Sequence, residues 1–140
     1  MQHLELTEHF MSSADEVWAV IGVLDRVDWV PGIDTAEMQG DERHMTIEGQ
    51  PPLVEKIHVH DNEAREIEYG VIKSGVGITH HRAHIQLRAN ETGCTLHWTL
   101  DIEPDAFKDV VGGMMQASVD GIRQVLGEPA PQGTAKSDRP

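Results

Sequence analysis

The sequence predicts an α+β fold in which one antiparallel sheet of about seven strands packs its inner face against a long helix at the C-terminal end. Three observations carry that expectation. Apolar and polar residues alternate over seven short runs bounded by turn residues; apolar residues recur at threes and fours from Asp105 to Leu126; and several strands put ionisable residues on the face the helix should cover. The last of these points to a small-molecule cavity rather than a dry core.

The clearest strand is Cys94 to Ile102, where Cys94, Leu96, Trp98, Leu100 and Ile102 alternate with Thr95, His97, Thr99 and Asp101. Successive side chains of a strand point to opposite faces, so one face is apolar and the other should meet water. Ala83, Ile85 and Leu87 alternate with His84, Gln86 and Arg88 before it, and Asn90-Glu91-Thr92-Gly93 joins the two as a hairpin. Leu53 to Val59 and Ile67 to Val71 form a second pair about Asp61-Asn62-Glu63. Thr35 to Gln39 and Arg43 to Glu48 flank Gly40-Asp41-Glu42, and Leu4 to Phe10 starts the chain.

Two helical segments frame the strands. Ser13 and Glu16 have the spacing of a capping box, followed at helical intervals by Val17, Trp18, Val20, Ile21 and Leu24; Pro31-Gly32 ends the segment. The apolar stripe from Asp105 to Leu126 predicts a second helix roughly 33 Å long. Gly112, Gly113 and Gly121 each cost it about 1 kcal/mol relative to Ala, so either the helix packs very closely there or it bends beside a cavity.

The length of 140 residues suits one domain, spanning 1–127, with a disordered tail over 128–140 rich in Pro, Gly, Ala and charge. No stretch is long or apolar enough to cross a membrane, and the polar, alternating start does not read as a signal peptide, so cytoplasmic residence is the expectation. The single cysteine, Cys94, has inward parity and reads as a core thiol. A formal net charge of -13 argues against nucleic acid and anionic lipid as partners. A monomer or homodimer is expected, and no cofactor, since phosphate-loop, CxxC, HExxH and Ser-His-Asp patterns are missing.

Parity sorts the polar residues by face. Arg43 goes with Met45 and Ile47; Glu55 with Leu53, Ile57 and Val59; Tyr69 with Ile67 and Val71; His81 with Ala83, Ile85 and Leu87; all point to the helix side, as does Trp98. A charge in a dry core costs several kcal/mol unless it is paired or hydrated, so these residues suggest a wet or ligand-filled cavity. Equally, Arg43 and Glu55 can form a purely structural ion pair. His81, Tyr69 and Glu55 are the candidate catalytic groups: the imidazole titrates near neutrality, the phenol can orient a carbonyl, and a carboxylate in an apolar pocket can act as base. The trio would suit enolisation, aldol-type ring closure or dehydration, or would simply hydrogen-bond a ligand. The candidate ligand-binding set is Arg43, Met45, Glu55, Ile57, Tyr69, His81 and Trp98 on the strands, with Met114, Met115 and Ser118 on the helix. His44, His58, His60, His80, His84 and His97 take the opposite parity; with Glu66 and Glu68 on the same face they read as a solvated surface, and no metal site is expected.

The chain resembles the START and Bet v 1-like superfamily, often labelled SRPBCC, and within it the bacterial polyketide cyclase/dehydrase-like group. The resemblance runs from about Leu4 to Leu126 and is carried by Ala14-Asp15-Glu16-Val17-Trp18, Trp29-Val30-Pro31-Gly32, Gly40 with Arg43, Gly49, Glu55 with Ile57 and Asp61, Tyr69, and His97-Trp98 before Pro104. It implies the helix-grip architecture, a curved seven-stranded antiparallel sheet around the long C-terminal helix, with two short helices after the first strand and a hydrophobic tunnel between. It also implies a hydrophobic ligand, such as a lipid, sterol, polyketide, quinone or plant hormone. Gly77 stands where relatives often carry Pro in the gating loop, and His81 where they carry an aromatic such as Tyr, so a more flexible gate and a more polar pocket are expected.

Three functions follow from these readings. The first is binding of a small, largely apolar molecule bearing one or two oxygens, polyketide-like, lipid or cyclic carbonyl compound; the second is a cyclase or dehydratase using His81, Tyr69 and Glu55; the third is a protein-interaction module.

Overall fold

A computed structural model describes residues 1–129. Strand β1 (Gln2–Phe10) leads into helix α1 (Ala14–Ile21), and six strands follow: β2 (Thr35–Gln39), β3 (Glu42–Thr46), β4 (Leu53–Asp61), β5 (Glu66–Lys73), β6 (His80–Asn90) and β7 (Gly93–Glu103). A 3-10 turn over Asp105–Phe107 then precedes helix α2 (Lys108–Leu126). The order across the sheet is β1-β7-β6-β5-β4-β3-β2, antiparallel throughout. With β1 and β2 on opposite edges, α1 and residues 22–34 must carry the chain from one side of the sheet to the other.

Local chemistry accounts for the elements. Ser13 Oγ accepts from the Glu16 N–H while the Glu16 carboxylate accepts from the Ser13 N–H, which closes the capping box that starts α1. Cys94, Leu96, Trp98, Leu100 and Ile102 are all buried, as the alternation in β7 requires. Cys94 is fully buried, and burial above all pushes its thiol up to about 11, which makes it an unreactive core group. Instead of the second short helix that the resemblance implies, residues 22–34 form turns, so α1 is the single α-helix between β1 and β2. The expected helix from Asp105 is split as well: Asp105–Phe107 is a 3-10 turn, and α2 proper spans roughly 29 Å.

A β-bulge corrects the parity of β4. The ladder pairs Ile57 with Tyr69 but Val59 with Glu68 and His60 with Ile67, so the register shifts at His58. Beyond it, Val59 leaves the inner set and His60 turns toward α1, where its Nε2 meets the Gly22 carbonyl at 2.8 Å and its ring stacks on Trp18. The other outward histidines keep their side: His84 pairs with Glu66 and His97 with Glu5 across strands.

The helix α2 is held unevenly. Val119 and Ile122 are fully buried, and Arg123 Nη2 bonds Glu8 and the His9 carbonyl while the guanidinium lies over the Phe10 ring. Nearer the start of α2, Val110 and Met114 are exposed. Of the expected tail over 128–140, residues 130–140 lie outside the described residues; Glu128 accepts from the Met11 and Ser12 N–H groups and the Ser12 hydroxyl, so it belongs to the folded domain. Among the described residues no helix is long and apolar enough to cross a membrane.

The three helix glycines are not alike. A Cβ on Gly121 would lie 2.1 Å from the Trp29 carbonyl oxygen, whereas one on Gly113 would meet nothing within 4 Å and one on Gly112 only Leu4 Cδ2 at 3.8 Å. Close packing is therefore the reason for Gly121 alone. Gly121→Ala should cost about 1 to 3 kcal/mol in chemical denaturation as the helix is pushed off Trp29, and Gly113→Ala should stabilise by up to about 1 kcal/mol. A destabilised Gly113→Ala would contradict this placement.

Candidate functional site

Adjacent strands deliver the site residues in sequence order. Arg43 on β3 is the direct partner of Glu55 on β4; Tyr69 on β5 is two residues from Glu55's partner, Val71; and His81 on β6 is two residues from Tyr69's partner, Ala83. Each is thus a same-face diagonal or direct neighbour of the next, within reach for long side chains. Between this face and α2 lies a cavity of about 170 Å³, somewhat larger than the ~150 Å³ apolar cavity known to take benzene.

Arg43, Met45, Glu55, Tyr69, His81 and Trp98 line it from the sheet, and Met114, Met115 and Ser118 from α2. Ile57, the remaining member of the expected set, lies in the buried core and not on the cavity wall. Several lining residues escaped the sequence reading, above all Arg26, Val27, Trp29, Val30 and Ile33 in the connection after α1. That segment has no helical or strand period; its apolar residues, too many for an exposed turn, were the available signal. Trp29 is nearly buried, donates from Nε1 to the Arg26 carbonyl at 3.0 Å, and its ring stands 6.5 Å from that of Trp98.

Arg43 and Glu55 form a buried ion pair. Arg43 Nε and Nη2 donate to the same oxygen, Glu55 Oε1, at 3.0 and 2.5 Å, and Nη1 donates to the Leu24 carbonyl at 3.2 Å. The guanidinium carbon also stands 5.3 Å from the centre of the Tyr69 ring. Burial, and then the Glu55 carboxylate, hold the Tyr69 phenol well above its ordinary pKa, with Arg43 and the Trp98 indole pulling the other way. The phenol therefore stays protonated as a donor. Trp98 Nε1–H is buried with no hydrogen-bond partner among the described residues, although it lies near enough to the Tyr69 oxygen to bear on its ionisation.

His81 takes its role from a gap in the sheet. The β5–β6 ladder ends at Tyr69 and Ala83, which leaves the Val71 N–H without a strand partner, and it donates to His81 Nδ1 at 3.2 Å. With Nδ1 accepting, the neutral ring carries its proton on Nε2. Burial lowers the imidazole pKa below its ordinary value, against the opposing pull of Glu55, so the ring is neutral at pH 7. His81 is then a hydrogen-bond donor to the cavity, with its one acceptor atom already engaged.

A family model described as polyketide cyclase/dehydrase and lipid transport matches residues 1–127. The chain belongs to that family. Nothing among curated proteins matches the chain. Solved structures similar to it include an uncharacterised protein from Bacillus thuringiensis (18% identity, 91% of this chain and 100% of that one, TM-score 0.80) and the protein XoxI from Bacillus cereus (19% identity, 89% and 95%, TM-score 0.80). Norcoclaurine synthase from Thalictrum flavum is similar at 24% identity over 91% of this chain and 86% of that one, with a TM-score of 0.63. These likenesses establish the helix-grip fold, and the family's description names both polyketide cyclase/dehydrase and lipid transport.

The lowered His81 pKa makes stability pH-dependent with a definite sign. The unfolded chain binds the proton more readily than the folded one, so this contribution is full above about pH 6.5 and is lost as pH falls toward the folded value. His81→Asn should remove that acid-side loss while keeping an acceptor for the Val71 N–H, and His81→Phe should remove it but cost about 1 to 3 kcal/mol for the orphaned donor. Denaturation of the three proteins at pH 7.5 and pH 5 checks both; an unchanged pH slope in the variants would show that His81 is not the group responsible.

Proposed function

We propose that the chain binds a small, largely hydrophobic molecule in the cavity between the sheet and α2, a polyketide-like, lipid or cyclic carbonyl compound whose oxygen meets the polar end formed by Tyr69, His81 and Glu55. The observation that carries this is a partly open, mostly apolar space with Arg43, Glu55, Tyr69 and His81 together on its sheet wall. The family's scope supports it. An interaction module is less well supported, because the outer face of the sheet presents paired polar groups, among them His3 with Asp101 and Arg82 with Glu68, rather than an apolar patch.

A second reading, a cyclase or dehydratase, draws on one specific feature. Glu55 Oε2 meets no donor among the described residues, and a carboxylate oxygen beside a protonated phenol can take a proton from a carbon next to a carbonyl held by that phenol. Under this reading Glu55 is the base and Tyr69 steadies the oxyanion. His81, its Nδ1 occupied, would assist as a donor and not as a base.

Native mass spectrometry of the purified protein should reveal a co-purified small molecule displaced by denaturation. Once a ligand is in hand, Tyr69→Phe should weaken its binding by roughly 2- to 12-fold, the worth of one hydrogen bond, with no chemical conversion over hours. Conversion that falls by roughly 10- to 10⁴-fold in Tyr69→Phe with affinity retained would make the protein an enzyme.

A further inference from the structure

Donors and acceptors at the polar end of the cavity are not matched within the protein, and the mismatch describes the chemistry that would fit there. Three of the five Arg43 N–H donors are used within the protein, two on Glu55 Oε1 and one on the Leu24 carbonyl, and Glu55 balances its charge. Glu55 Oε2 is left with no donor among the described residues, and Glu55 lines the cavity. On the other side stand the Tyr69 hydroxyl, with no acceptor among the described residues, and His81, whose Nδ1 is taken so that Nε2 carries the proton. Trp98, another lining residue, holds a buried Nε1–H with no partner among the described residues.

We propose that this end of the cavity selects a neutral ligand carrying both a hydroxyl and a carbonyl group, and rejects carboxylates. The ligand hydroxyl donates to Glu55 Oε2, and its carbonyl accepts from Tyr69 or His81. This rests on the cavity being a binding site at all, as proposed above. A carboxylate fails for two reasons: it has no proton to give Glu55, and it brings a further negative charge to a cavity whose two lining cations already have carboxylate partners, Arg43 with Glu55 and Arg26 with Asp28. Tyr69 and Glu55 are diagonal neighbours across β5 and β4, so the two oxygens of the ligand are met by different side chains.

Isothermal titration of the full chain with five single-ring compounds tests the proposal: 4-hydroxyacetophenone, acetophenone, 4-ethylphenol, ethylbenzene and benzoate. The expected result is that 4-hydroxyacetophenone binds about tenfold or more tighter than ethylbenzene, with acetophenone and 4-ethylphenol between them and benzoate weakest. The Tyr69→Phe, His81→Phe double variant should bring 4-hydroxyacetophenone down to the level of 4-ethylphenol, and Glu55→Gln should admit benzoate more readily. Should ethylbenzene bind as tightly as 4-hydroxyacetophenone, or benzoate bind best, the selection is overturned while the cavity remains an apolar binding site. If none of the five binds, the reading of the cavity falls with it.

Discussion

A buried ion pair governs the inner face of this sheet. Arg43 and Glu55 face each other across β3 and β4 with their side chains about a tenth exposed, and removing both from water costs energy that their attraction repays only when the geometry is good. Here two short bonds converge on one oxygen and a third ties the Leu24 carbonyl. That third bond fastens the connection after α1 to the sheet, and this connection supplies Trp29 and Val30 to the cavity wall. The pair also acts on its neighbours: Glu55 raises the Tyr69 phenol and opposes the loss of basicity at His81. Pocket shape and pocket chemistry thus meet at the same two residues.

The cavity exists because α2 follows the sheet closely over only part of its length. Near its end, Gly121 lets the helix backbone approach Trp29, and Val119, Ile122 and Arg123 are buried against β1 and α1. Near its start, Val110, Gly113 and Met114 are exposed, and Val111, Met114 and Met115 border the open space. Stability is concentrated in one half of the helix and access in the other. Binding sites belong to the less tightly held parts of a fold for this reason, since a ligand has to enter through something that gives.

Much of this was legible in the sequence because strand parity is a strong constraint. One face of β7 had to be inward, the hairpins fixed the neighbours, and Arg43, Glu55, Tyr69, His81 and Trp98 were read onto one face from alternation alone. Parity fails where the ladder slips. The bulge at His58 reverses Val59 and His60, and nothing in the His58-Val59-His60 run distinguishes a bulged strand from a regular one. The connection from 22 to 34 was opaque for another reason: it is held by tertiary bonds such as Arg43 to Leu24 and Trp29 to Arg26, which leave no period in the chain. His81 shows a third kind of limit. Its residue type marks it as an acid-base candidate, but which nitrogen is free depends on a strand ladder that ends early at Tyr69 and Ala83.

If the Arg43–Glu55 pair is retained for recognition and not for stability, exchanging both residues for apolar ones should separate the two properties. The measurement is denaturation and ligand titration of a double variant, Arg43→Met with Glu55→Leu. Replacing a buried pair together is commonly neutral or stabilising, so the double variant should be a folded protein of equal or greater stability that no longer prefers a hydroxylated ligand over its apolar analogue. A protein that loses several kcal/mol of stability and keeps the same ligand preference would contradict it and make the pair structural.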